Sequence, residues 1–263
     1  VAFSVLDLAS RKDVDQGPAP ALQRSLALAQ HVENLGFTRF WVAEHHNMDA
    51  IVSSATSVLI GYLAAGTQRI RVGSGGVMLP NHAPLVIAEQ FGTLEALYPG
   101  RIDLGLGRAP GTDPITARAL RRDRSGSADD FPAEVAELQA FLGPRQAGQK
   151  VIAMPGVDSH VPIWLLGSSL FSAQLAAEQG LPYAFASHFA PRMMMQAIEV
   201  YRRNFKSSAV LDKPYVMLGV PVVAAETDAR AEFLATTTYQ RILALIRGQN
   251  MLMRPPVEVM HDL

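Results

Sequence analysis

The chain has 263 residues, 49% of them apolar, and its 23 Lys and Arg nearly balance 24 Asp and Glu. That length suits one large core, while balanced charge with no basic run argues against a nucleic-acid or anionic-lipid partner. Cysteine is absent, which excludes disulfides, thiolate metal sites and thiol nucleophiles.

No apolar stretch approaches the roughly 18 residues of a membrane span, and the opening VAFSVLDLAS lacks the basic start and small-residue cleavage site of a signal peptide. A single soluble, cytoplasmic domain over residues 1–263 is expected. Short apolar runs rich in β-branched and aromatic residues alternate with segments of helical period, the pattern of repeated βα units around a parallel sheet.

In chain order, the first strand is expected from Phe3 to Leu6. A helix follows on which Leu22, Leu26, Ala29 and Val32 recur, with Gly36 as its left-handed terminal cap. The second strand, Arg39 to Glu44, runs into Glu44, His45 and His46, at the strand end where barrel enzymes place catalytic groups. Alternation sends the two histidines to opposite sides, so at most one faces the mouth; a structural imidazole satisfied by a carbonyl is the plainer alternative. A metal site is not expected, because HEXXH is absent and His82, His160 and His188 bring no paired-ligand motif.

A helix carrying Ala55, Val58, Leu59, Tyr62 and Leu63 leads to a third strand, Ile70 to Leu79, with Gly73, Gly75 and Gly76 inside it. Glycine within a strand marks a bulge or a close approach of another group, here a flat ring or a neighbouring helix. The fourth strand, Arg101 to Leu106, is followed by Arg108. The glycines around it, Gly105, Gly107 and Gly111, do not match GxGxxG, but the guanidinium fork suits a phosphate as well as a surface ion pair.

Residues 110–130, rich in Arg, Asp, Gly and Ser, are long for a βα connection and read as a surface excursion or an active-site lid. The fifth strand, Ile163 to Leu166, ends in Gly167, Ser168 and Ser169 before a helix that closes at Gly180. Free backbone N–H groups at that helix start, with the hydroxyls of Ser169 and Ser172, form either a phosphate cradle or an ordinary cap. Strands follow at Tyr183 to Ser187 and Tyr215 to Ala224, and then a helix around Ala231 to Arg247. The barrel is one βα unit short of eight when the sequence reaches MLMRPPVEVMHDL, so either the chain continues or its end closes the sheet another way.

Together AEHHN, VGSGGVMLPNHAPLVIAEQFGTLE, YPGRIDLGLGRAPGTD and WLLGSSLFSAQLAAEQGLP resemble the luciferase-like flavin oxidoreductases over almost the whole chain. The resemblance implies a (β/α)₈ TIM-type barrel, lacking its last βα unit in this chain, with FMN at the C-terminal ends of the strands. It assigns catalysis to His45, a cis peptide against the flavin ring to Gly75–Gly76, and the flavin phosphate to Arg108, Ser169 and Ser172. Glu44, Ser74 and Ser168 complete the expected cofactor-binding set. The implied activity oxidises a small organic substrate with dioxygen and reduced FMN supplied by a flavin reductase, in a homodimer; deazaflavin-dependent hydride transfer and flavin binding without catalysis are the alternatives. Gly107 replaces the reactive cysteine of the light-emitting chain, so light emission is not implied.

Overall fold

A computed structural model describes residues 1–109, 113–120, 130–188 and 190–260. Seven strands form one parallel sheet in the order of the chain: β1 (Ser4–Asp7), β2 (Arg39–Val42), β3 (Arg71–Met78), β4 (Ile102–Gly107), β5 (Ile163–Gly167), β6 (Tyr183–Phe185) and β7 (Val216–Leu218). The helices between them are α1 (Ala19–Asn34), α2 (Thr56–Ala65), α3 (Pro84–Leu97), α4 (Pro114–Leu120), α5 (Phe131–Leu142), α6 (Leu170–Gln179) and α7 (Met194–Asn204), with α8 (Asp228–Ile246) after β7. The two glycine stops are present: Gly36 has φ +79° and Gly180 φ +62°.

Strand alternation sorts the sheet into two faces with different chemistry. Phe40, Val42, Val72, Ile102, Leu104, Ile163 and Leu165 are buried in the apolar layer shared with the helices. Their neighbours face the concave side, where Trp41 and Trp164 pack with Ala184, Leu166 and Met217. There the Trp41 and Trp164 rings meet edge to face at 5.2 Å. Burial on both faces is what a parallel sheet requires.

The buried charge on that concave side has partners. Asp103 is fully buried; its Oδ1 accepts from Arg71 Nε at 2.9 Å and Nη2 at 2.6 Å, and its Oδ2 from Arg39 Nε at 3.0 Å and Trp41 Nε1 at 3.1 Å. A buried charge persists when it is paired and hydrogen-bonded in this way.

One expectation needs correction. The last strand is three residues long, not ten, because the Gly219 carbonyl is taken by Ser187 Oγ and His188 N and Pro221 has no N–H to donate. The seven strands agree with a barrel one unit short of eight, and among the described residues no strand joins β7 to β1. The C-terminal segment instead crosses the loop after β1, with Met253 N donating to Arg11 O at 2.9 Å and Asp13 N to Met253 O at 3.0 Å. Of the expected excursion at 110–130, residues 110–112 and 121–129 lie outside the described residues. No helix among the described residues is long and apolar enough to cross a membrane.

Candidate functional site

The third strand carries the most unusual backbone. Its ladder to β4 shifts register between Gly75 and Val77, and the Gly75–Gly76 peptide is cis, as motif matching implies. The protein's own packing demands both glycines. A Cβ at Gly75 would stand 2.7 Å from Leu6 Cδ1 and 3.1 Å from the Trp41 ring, and one at Gly76 would stand 2.7 Å from the Gly105 carbonyl oxygen. Clearance for a flavin ring, the reason offered by the sequence, is therefore not the only constraint on them.

Ser74 bridges the disturbed ladder. Its hydroxyl donates to Gly105 O and accepts from Gly105 N, both at 2.9 Å, and the residue is fully buried. The hydroxyl's proton and one of its lone pairs are thus engaged within the sheet.

After β2 the chain delivers Glu44, His45 and His46. Glu44 and His46, two apart, share a side: His46 Nε2 donates to Glu44 Oε1 at 2.8 Å. His45 between them is half-buried, and its backbone N–H donates to Ser53 O at 3.2 Å. His82, after β3, donates through Nε2 to the same Oε1 at 2.8 Å, and Met78 N donates to Oε2 at 3.0 Å. Burial pushes the Glu44 carboxyl up, but the hydrogen bonds from His82, His46 and Met78 outweigh it and hold the group below its ordinary value.

This convergence was not legible beforehand, because His82 lies 38 residues from Glu44 and no local spacing joins them. The three side chains present ligand atoms within 4.8 Å of one another, a set a metal ion could use. The loop also reaches forward, as Asn47 Nδ2 donates to Asp113 Oδ2 at 3.2 Å. Asp113 caps α4 through Ile115 N and Thr116 N, and its hydrogen bond from the Thr116 hydroxyl does most to hold its carboxyl well below the usual range.

The expected phosphate residues converge from two elements. Arg108, just past β4, stacks its guanidinium 4.1 Å from the centre of the Phe171 ring in the first turn of α6. Ser169 is the N-cap of α6, yet its side chain makes no cap hydrogen bond. Among the described residues neither the Ser168 nor the Ser169 hydroxyl has a partner, and the first N–H groups of α6 lack intrahelical acceptors. Ser172 is placed differently. It is buried, its Oγ donates to Ser169 O at 2.9 Å and lies 3.2 Å from the Tyr183 hydroxyl, so its side chain serves the turn itself.

Comparison with known proteins gives consistent results. The family model described as luciferase-like monooxygenase matches residues 2–257. A protein of Escherichia coli K12 named luciferase-like monooxygenase is 56% identical over 262 residues, covering 99% of this chain and 77% of that one. The solved structure of apo-MsnO8 superposes with a TM-score of 0.92 at 40% identity, covering 97% of this chain and 76% of the other. Two more distant structures share the fold alone: the oxygenating constituent of a 3,6-diketocamphane monooxygenase in complex with FMN (TM-score 0.71, 17% identity, 94% and 75% covered) and a coenzyme F420 dependent tetrahydromethanopterin reductase from Methanopyrus kandleri (0.68, 16%, 95% and 76%).

Proposed function

The chain belongs to the luciferase-like monooxygenase family, and on that premise we infer that it is an FMN-dependent monooxygenase acting on a small organic molecule. The observation that carries this reading is the cradle of Arg108, Ser168, Ser169 and the α6 start, which offers a guanidinium, two hydroxyls and free N–H groups at one place. That donor set fits a phosphate ester. The bare glycine backbone at Gly75 and Gly76 supports a flat ring lying between the cradle and the β2 loop.

Reduced flavin, when bound, supplies the activation of dioxygen, and the protein supplies binding, orientation and exclusion of water. Arg108 and the serine hydroxyls would anchor the phosphate. His45, on the loop after β2, would move a proton at the reacting oxygen, a task suited to an imidazole. A flavin reductase would deliver the reduced cofactor, and the protein would work as a homodimer; exposed Val58 and Tyr62 on α2 and Val86 on α3 support that association.

The direct test mixes the purified protein with FMN and follows the flavin spectrum, then supplies reduced FMN and dioxygen with a panel of small organic substrates. A bound flavin spectrum and oxygenated product are expected; no perturbation of the spectrum would overturn the reading. A sharper test separates the phosphate from the ring. Arg108→Ala is expected to weaken FMN about ten- to a hundredfold and riboflavin hardly at all, since a charge-assisted hydrogen bond contributes roughly 1.5 to 3 kcal/mol. Equal losses for both ligands by fluorescence titration would show that the guanidinium does not meet the phosphate.

A further inference from the structure

Glu44 was expected to bind cofactor, but the protein already supplies most of what its carboxylate can accept. The side chain is 1% exposed, and its two oxygens receive the ring N–H groups of His46 and His82 and the backbone N–H of Met78. A carboxylate has about four acceptor positions, so three are filled. Both ring nitrogens stand 2.8 Å from one and the same oxygen, a charge-assisted hydrogen-bond distance. Ligands set tetrahedrally around an ion at roughly 2.0 to 2.2 Å would stand about 3.4 Å apart. The geometry is therefore that of shared protons, with both rings carrying hydrogen on Nε2.

These bonds join pieces of chain that the site needs in fixed relation. Glu44 adjoins His45 at the end of β2. Met78 ends β3, immediately after the register shift at Gly75–Val77. His82 lies on the approach to α3. We propose that Glu44 is a positioning residue, an anionic brace that holds the His45 loop in register with the Gly75–Gly76 backbone wall, and that it acts on the reaction through His45 without touching cofactor or substrate. The inference rests on the flavin reading of that wall and of His45. A carboxyl held below its ordinary value keeps the brace charged at neutral pH.

The test uses Glu44→Gln, which keeps volume but removes the charge and at least one of the three bonds, because the amide must turn its own N–H groups toward other donors. His82→Gln removes one arm only and carries the same experiment if Glu44→Gln does not fold. With ¹⁵N-histidine labelling, two rings protonated on Nε2 with slowly exchanging protons are expected in the unmodified protein, and exchange at least tenfold faster in Glu44→Gln. This arm needs no flavin, so it judges the brace even if FMN fails to bind and the functional reading falls.

In the FMN-loaded protein, Glu44→Gln should lower turnover about tenfold with the FMN dissociation constant within threefold, and should have no further effect in a His45→Ala background. Three results would overturn the proposal: a full additional loss on top of His45→Ala, a loss of FMN affinity as large as the loss of turnover, or stoichiometric shifts of both Nε2 signals on titration with zinc chloride alone.

Discussion

His45→Ala is expected to lower turnover by about 10² to 10⁴ while leaving FMN affinity within a few-fold of the unmodified protein. The size follows from what a positioned general acid or base contributes. The asymmetry follows from geometry: the histidine sits on the β2 loop, whereas the phosphate cradle is built from the end of β4 and the start of α6. Substrate oxidation per reduced FMN consumed, measured beside a flavin titration, checks both halves. Parallel loss of binding and turnover would show that His45 holds the cofactor and does not serve the proton.

Asp103→Asn is expected to destabilise the protein by about 3 kcal/mol or more, because it leaves two guanidinium groups, partly sunk in the concave side, facing an amide that cannot neutralise them. The carboxylate has no exposed surface and accepts four hydrogen bonds, so water cannot replace what is lost without opening the sheet. For a chain of this size that corresponds to a drop in the unfolding midpoint of roughly 6 to 12 °C. Thermal and urea unfolding should agree, and a loss under about 1 kcal/mol would mean that Arg39 and Arg71 are effectively solvated.

The strands were legible in the sequence because each is a short apolar run, and all seven lie where that signal puts them, with ends shifting by a few residues at most except in β7. There Val220, Val222 and Val223 continue the apolar pattern past Gly219, so composition alone overran the pairing. The site was legible in part. Arg108 does reach the first turn of α6, at Phe171, and the cis bond is where the motif match put it. Ser74, Ser172 and Glu44 were expected to contact cofactor; the hydrogen bonds that Ser74 makes to Gly105 and Glu44 receives from His82 join residues more than thirty apart. No spacing along the chain carries that information.

Every strand in the sheet pairs with the strand next to it in sequence. The sheet can therefore assemble from its N-terminus by adding one βα unit at a time, and of the contacts described above the bridge from Met253 to the loop after β1 is the one that waits for the far end of the chain. During synthesis β1 to β4, with the glycine wall and the Glu44 contacts, would exist before α6 has left the ribosome. If the proposed FMN site is right, a nascent chain at that stage would own the surface for the ring but not yet the whole cradle for the phosphate, so firm cofactor capture would be among the last events of its folding.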